Sequence, residues 1–257
     1  MEFEILGALQ VKASGREIPV TAPKQQAALA ALLLSANCAV SADEMVEHLW
    51  SGQPPAAARS TLQAYIHRLR QLLSGMPGEV RLSTSTAGYT LELGSARLDL
   101  RIFHERVGEA RHLAAAGDLS DAAVLLRGAL SLWRGAALAG VPGDFIQEEA
   151  RFLDAERIAA HEELLHLEMR VGNHQRIIPE LIKLCNAHPF REAITAQLMV
   201  CLYRCGRQAE ALRTFSQSRK RLREELGIEP GVDLQELQKA ILTRVPVDQI
   251  TLRSCPG

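Results

Sequence analysis

Ala58-Arg59-Ser60-Thr61-Leu62-Gln63-Ala64-Tyr65-Ile66-His67-Arg68-Leu69-Arg70-Gln71-Leu72-Leu73 places Leu62, Ile66, Leu69 and Leu73 on one helical face. Arg59, Gln63, His67 and Arg70 follow the same period on an adjacent polar face. One face fits a core and the other fits something outside it. The segment lies within the 31 residues between Glu47 and Glu79, which contain no Asp or Glu. The chain as a whole is balanced, with 29 Lys+Arg against 30 Asp+Glu and a formal net charge of -1. Local exclusion of acids therefore needs a local cause. A helix that approaches a phosphate backbone cannot carry repelling carboxylates. A surface helix that lacks acids by chance has the same composition, so the flanking sequence must decide.

Upstream, Ser41-Ala42-Asp43-Glu44 reads as a capping box that opens a helix through Met45, Val46 and Leu49. Trp50-Ser51-Gly52-Gln53-Pro54-Pro55 stops it, and a second helix is expected from near Ala56 to Leu73. This is a helix–turn–helix with its second helix in the reading position. Downstream, Val80 and Leu82, then Tyr89, Leu91 and Leu93, alternate with polar residues around Ser83-Thr84-Ser85-Thr86-Ala87-Gly88. That pattern predicts a hairpin with a hydroxyl-rich loop, a wing whose Thr84, Ser85 and Thr86 can touch phosphate. An ordinary surface hairpin fits the same segment. Earlier still, Phe3, Ile5, Leu9 and Val11 alternate, and Ile18 and Val20 follow an Ala13-Ser14-Gly15 turn, which predicts a small antiparallel sheet. Pro23 suits a first helical turn, and Leu29, Leu32 and Leu33 form a stripe on a helix ending near Ala36. The order is that of an OmpR-type winged helix with an amino-terminal sheet.

From about Ala96 onward the chain is helix-forming. Gly172 and Gly206 are 34 residues apart, the period of a tetratricopeptide repeat. Nine positions past Gly117, Gly172 and Gly206 stand Leu126, Leu181 and Phe215. Five and six positions past them stand Ala122-Ala123, Ile177-Ile178 and Ala211-Leu212. Each unit thus presents the same stripe, and stacked helix pairs of this kind leave a concave surface for partners. The longer spacing after Gly117 points to an inserted loop over Trp133 to Asp144, which holds three Gly and one Pro. The expected fold class is mainly α: a winged helix-turn-helix front domain of α+β type, then an all-α tetratricopeptide-like repeat domain. The expected boundaries are 1–95 for DNA binding and 96–243 for the helical repeats, with 244–257 as a flexible tail.

Composition narrows the function. Aromatic content of 4% argues against stacking platforms for single strands. No apolar run reaches a membrane span, and the acidic start Met1-Glu2-Phe3-Glu4 is unlike a secretory signal, so a cytoplasmic protein is expected. Five Cys do not suggest a disulfide framework. Cys201 and Cys205, with Cys185 and His188 nearby, fit a metal or redox site, but small apolar packing residues fit the positions better. His161 and His166, five apart, fall on different helical faces. GxxxxGK[ST], GxSxG, GxGxxG and HExxH are all absent, so neither catalysis nor a cofactor or metal is expected.

Several motifs are similar to those of one family, the Streptomyces antibiotic regulatory proteins. In the front half they are Pro23-Lys24-Gln25-Gln26, Leu49-Trp50 before Pro54-Pro55, Leu62-Gln63-Ala64-Tyr65-Ile66 and Arg68-Leu69-Arg70. Leu130-Ser131-Leu132-Trp133-Arg134-Gly135 and His188-Pro189-Phe190-Arg191-Glu192 resemble that family's bacterial transcriptional activator domain. So do Gly206-Arg207-Gln208-Ala209-Glu210-Ala211-Leu212 and Glu225-Leu226-Gly227-Ile228-Glu229-Pro230. The resemblance is collinear over about residues 1 to 243. It departs at Ser85, where many OmpR-type relatives carry Arg, and at Ala87, where Thr is frequent. The resemblance implies an activator that binds direct repeats upstream of secondary-metabolite promoters, with double-stranded DNA and RNA polymerase (σ and/or α subunit) as partners and a homodimer on DNA. The expected DNA contacts are Arg59, Ser60, Thr61, Gln63, His67, Arg68 and Arg70, with Thr84, Ser85 and Thr86 on the wing. Lys24 and Trp50 are candidates for phosphate or polymerase contact. Trp50 also fits the end of a core. A second reading stays open: a helical-repeat adaptor or effector sensor that no longer binds DNA, compatible with Lys12, Lys24 and five Arg against eight acids in residues 1–95.

Overall fold

The computed structural model describes residues 1–74, 79–246 and Gln249. The chain begins with β1 (Glu2–Glu4), β2 (Gln10–Ala13) and β3 (Arg16–Glu17), followed by α1 (Pro23–Leu34) and β4 (Ala39–Val40). Next come α2 (Ala42–Trp50), α3 (Ala58–Leu73), β5 (Arg81–Ser85), β6 (Gly88–Glu92) and β7 (Arg97–Leu98). The strands form a four-stranded sheet in the order β3-β2-β1-β7 and a three-stranded sheet in the order β4-β6-β5. β1 runs antiparallel to β2, with Phe3 opposite Val11, and parallel to β7, with Phe3 opposite Leu98.

The third strand falls on Arg16–Glu17 rather than on Ile18 and Val20. Ser14 and Gly15, at φ 49° and 75°, turn the chain back at once, so pairing begins two residues early. Ile18 still donates its amide to the Val11 carbonyl at 2.8 Å. α1 starts on Pro23 as expected, but it buries more than the Leu29, Leu32 and Leu33 stripe. Ala27, Ala28, Ala30 and Ala31 are buried as well, so small residues let neighbouring elements close on every side of this helix.

The wing's pairing also extends further than its loop chemistry suggests. β5 continues through Ser85, which pairs with Gly88, and Thr86-Ala87 alone makes the turn. Gly88 has φ +131°, and a Cβ there would sit 2.1 Å from the Val40 carbonyl oxygen. Only glycine permits β4 and β6 to approach so closely.

The remaining elements are α4 (Asp99–Ala116), α5 (Leu119–Leu130), α6 (Asp144–Val171), α7 (His174–Ala187), α8 (Glu192–Arg204), α9 (Gln208–Arg221) and α10 (Val232–Leu242). A π-helical turn over Leu222–Leu226 follows α9 directly. Packing divides the chain into two compact units. One comprises Met1–Glu109 with Leu125–Ala159, and the other Ala110–Val124 with the chain from Ala160 onward.

In the first unit, the expected inserted loop after α5 runs alongside Ile5–Ala8. The amides of Arg134, Leu138 and Ala139 donate to the carbonyls of Leu6, Ile5 and Gly7 at 2.8, 2.9 and 3.2 Å. Asp99 is buried beside this loop. Its carboxylate accepts from the amides of Ile5, Leu6 and Leu100 at 2.8 to 3.0 Å, and Arg134 Nη2 lies 3.6 Å away. Burial pushes the carboxyl upward in pKa, while the three amides and the guanidinium pull against that. Trp133 is buried, edge-on to Phe103 at 5.4 Å between ring centroids, with the Arg157 guanidinium 5.1 Å from its ring.

The second unit shows what the glycine spacing encodes. At Gly117, Gly172 and Gly206, φ is 98°, 95° and 74°. Each Gly amide donates to the carbonyl three residues back, and the amide after it donates to the carbonyl five back. Asp118 reaches Leu113, Asn173 reaches Glu168 and Arg207 reaches Leu202. These are three copies of one Schellman helix ending. Leu181 and Phe215 are buried, as are Ala122, Ala123, Ile177, Ile178 and Ala211, while Leu212 is half-buried; Leu126, also buried, belongs to the first unit. Cys201 is buried and Cys185 is half-buried, and burial pushes their thiols up to about 12 and about 11, so both behave as small apolar side chains. Of the expected tail, Val245 is held at its carbonyl by the Tyr203 hydroxyl at 2.9 Å. The rest lies outside the described residues from Val247 on, apart from Gln249.

Candidate nucleic-acid interface

α2 and α3 carry out the helix–turn–helix pattern with the expected chemistry. Ser41 accepts from the Glu44 amide at 3.1 Å, and Glu44 accepts from the Ser41 amide at 2.8 Å, closing the capping box. Those contacts hold the Glu44 carboxyl below its usual range. α2 ends where Ser51 and Gly52 adopt left-handed backbone, at φ 49° and 76°. On α3, Leu62, Ile66, Leu69 and Leu73 are buried together with Ala58. Burial of that face fixes which residues point outward.

Two solvent rows result. Arg59, Gln63 and His67 form one, and Ser60, Ala64, Arg68 and Gln71 form the other, all exposed. Ala64 and Gln71 were not among the expected site residues. The i, i+4 spacing from Ser60 is the signal that would have found them. An exposed Ala within such a polar row allows close approach and offers a methyl for contact with thymine. Neither row contains a carboxylate. The helix's amino-terminal residue Ala57 supplies no side-chain cap and no acid occupies the first turn; the Ala58 amide donates to the Pro55 carbonyl at 2.9 Å, so the Arg59 and Ser60 amides are the ones suited to an anion. Ser60 turns its hydroxyl back to the Ala57 carbonyl at 2.9 Å, and Thr61 is half-buried.

The cations near this face divide into two kinds. Arg68 has no ion pair or hydrogen-bond partner among the described residues, and the same is true of Gln63 and His67. Three others are engaged within the fold. Arg59 pairs with Asp43 of α2 at 2.5 Å, with both side chains well exposed. Such an exposed pair contributes little and opens readily for a phosphate. Lys24 of α1 donates to the Leu49 carbonyl at the end of α2 and lies 5.8 Å from the centre of the half-buried Trp50 ring. Arg70 donates through Nε to the Leu82 carbonyl at 2.8 Å and through Nη2 to the Thr84 hydroxyl.

On the wing, Thr84, Ser85 and Thr86 are exposed. Thr84 meets Arg70, Ser85 accepts from the Ala87 amide at 3.2 Å and closes the turn, and Thr86 stands at the tip. The structure thus brings these residues together around α3 and the wing, and separates the uncommitted groups from those that hold the elements together. Among the described residues no group of three His, Cys, Asp or Glu could hold a metal ion, and no helix is long and apolar enough to cross a membrane.

A winged helix with an outward, acid-free reading helix, continued by repeated helix pairs, defines a two-part transcriptional regulator. Comparison with known proteins agrees in both parts. Residues 15–91 match the family described as "Transcriptional regulatory protein, C terminal", and residues 98–242 match "Bacterial transcriptional activator domain". The chain is 35% identical over 254 residues to regulatory protein DnrI of Streptomyces peucetius, covering 96% of this chain and 93% of DnrI. It is 38% identical over 247 residues to regulatory protein AfsR of Streptomyces coelicolor, covering 96% of this chain. It spans only 24% of the length of AfsR. The structure of Mycobacterium tuberculosis EmbR, solved in complex with a low-affinity phosphopeptide, matches with a TM-score of 0.88 at 33% identity, over 95% of this chain and 65% of that one. The chain belongs to the Streptomyces antibiotic regulatory protein family of transcriptional regulators.

Proposed function

We propose that this chain is a sequence-specific DNA-binding transcriptional activator acting upstream of promoters in a secondary-metabolite gene cluster. The observation that carries the reading is the solvent face of α3, which holds no carboxylate and leaves Gln63, His67 and Arg68 uncommitted. In this reading α3 enters the major groove. Gln63 and His67 hydrogen-bond base edges, and Arg68 takes a guanine edge or a phosphate. The Ser60 and Thr61 hydroxyls and the Arg59 and Ser60 amides donate to a backbone phosphate, and Thr84, Ser85 and Thr86 of the wing meet the flanking backbone. The match to DnrI and AfsR, both described as regulatory proteins, supports the biological setting.

Direct repeats one helical turn apart present the same groove face to two like-oriented protomers, so the operator is read by a homodimer assembled on DNA. Residues 1–95 supply DNA binding, and residues 96–243 supply a surface that recruits RNA polymerase through its σ and/or α subunit. Lys24 and Trp50, at the end of α2, are offered to phosphate or polymerase. The test pairs a mobility shift with in vitro transcription on the upstream region of the protein's own gene cluster. Shifted bands that resist non-specific competitor, together with raised transcript, are expected. Binding no tighter than to scrambled repeats would overturn the proposal in favour of an adaptor that no longer reads DNA.

A further inference from the structure

We infer that Arg70 is a positioning residue that fixes the wing against the reading helix, rather than a direct contact to DNA; this rests on the DNA-binding reading of the same face. Arg70 continues the row of Arg59, Gln63 and His67, yet it alone of the four is half-buried. Its two donors reach two points on one strand, the Leu82 carbonyl at 2.8 Å and the Thr84 hydroxyl. Among the described residues β5 is the edge of its sheet, with β6 on one side and no strand on the other. Arg70 therefore supplies a donor where the missing strand would have supplied one. Leu82 and Thr84, two apart, share a face of β5. Leu82 is buried there, and Thr84 extends that face beyond the core to where α3 ends.

A planar guanidinium that donates to two fixed acceptors sets both distance and rotation, which the single ammonium of lysine cannot do. The wing tip at Ser85 and Thr86 is then held at a set distance from Gln63 and His67. A groove reader and a flanking backbone contact carried on two elements select one spacing on DNA only if the elements are rigidly joined. Arg70 makes that join outside the apolar core.

The test needs two readouts, one without DNA. Hydrogen exchange of the full-length protein compares wild type with Arg70→Ala, Arg70→Lys, Thr84→Val and the Arg70→Ala/Thr84→Val double variant. Exchange over residues 81–92 should speed up about tenfold in Arg70→Ala and the double variant, which lose both hydrogen bonds, and by less in Thr84→Val and Arg70→Lys, with α3 unchanged in all four because the core is intact. Hydroxyl-radical footprints on the operator should then lose the flanking protection and keep the protection under α3. The double variant should lose no more than Arg70→Ala alone, because both substitutions break one brace. Arg70→Lys keeps the charge, so its footprint loss separates geometry from phosphate neutralisation. Unchanged wing exchange in Arg70→Ala overturns the brace, whatever happens on DNA. So does a fall of about one unit in the salt slope with the flanking footprint intact. Faster wing exchange in a protein whose wild type binds no operator supports the brace and removes the DNA-binding reading instead.

Discussion

Removing the carboxylate of Asp99 should unfold the first unit early. Ile5 and Leu6 are both 0% exposed, and their amides donate to Asp99 at 2.9 to 3.0 Å, so no water can replace the lost acceptor. Each stranded amide costs about 1–3 kcal/mol. Part of that is offset because the buried carboxylate, pushed upward in pKa by its own desolvation, no longer has to be buried. A net loss of roughly 2–4 kcal/mol follows for Asp99→Ala. At a mid-range urea slope of about 2 kcal/mol/M the midpoint should fall by about 1–2 M. Tryptophan fluorescence isolates the right transition, because the 2 Trp of the chain, Trp50 and Trp133, both lie in this unit. Asp99→Asn should recover little. Both carboxylate oxygens accept from amides, so the Asn amide nitrogen must face a donor. A midpoint within about 0.2 M of wild type for Asp99→Ala would refute the idea that this carboxylate holds Ile5 and Leu6 in place.

Arg68, as the uncommitted cation of α3, should give a shallower salt dependence of operator affinity when changed to Ala, by about one unit in log–log slope. An unchanged slope would take Arg68 off the phosphate backbone. Gln63→Ala should cost on the order of 1–3 kcal/mol at one or two base positions and little on non-specific DNA, measured on operator variants. Equal losses on both would make Gln63 a positioning group. His48 stacks on Phe145 at 3.5 Å between ring centroids, and burial holds its pKa below 6.5 against the pull of Glu44 and Glu47. A depressed folded value means this contribution is complete above pH 6.5 and is lost as pH falls through the folded value. Trp-monitored stability should therefore drop on acidification from pH 7, and His48→Phe, which keeps the stack, should flatten that drop. An identical pH profile in the variant would exclude His48 as its source. A fragment ending at Arg97 lacks Leu98, Asp99 and the Arg134, Leu138 and Ala139 donors, so it should melt below the full chain's first unit by differential scanning fluorimetry. Equal melting would show that these contacts do not support the sheet.

Local chemistry was legible and long-range pairing was not. The Ser41–Glu44 capping box, the buried Leu62, Ile66, Leu69 and Leu73, and the helix endings at Gly172 and Gly206 all act within a few turns of chain, so a single sequence displays them. The cations around α3 behave differently. Arg59 finds Asp43 at 16 residues' separation, Arg70 finds Leu82 at 12 and Lys24 finds Leu49 at 25. Nothing in the period of α3 says which of its Arg side chains will be engaged, because the acceptor is set by tertiary approach. Two of the three acceptors are backbone carbonyls, which leave no mark in the residue types at all.

Asp99 is hidden in the sequence for the same physical cause. An acid at the start of a helix is ordinary, favoured there by the helix dipole and commonly solvated. Its burial depends on β7 lying parallel to β1, which brings residues 97 and 98 beside residues 2 and 3. The match to the activator family begins at residue 98, inside this sheet. The four-stranded sheet is therefore completed by a strand at the junction of the two family matches, and the first carboxylate after it holds the amino-terminal strand's exit. The loop whose Trp133-Arg134-Gly135 belongs to the activator-like motif then lies along Ile5–Ala8. A boundary drawn from composition near Gly94-Ser95-Ala96 marks where helix-forming sequence begins, not where hydrogen bonding to the front sheet ends. Any change at Asp99 or Arg134 should thus reach Ile5–Ala8 and, through β1, the pairing of the four-stranded sheet.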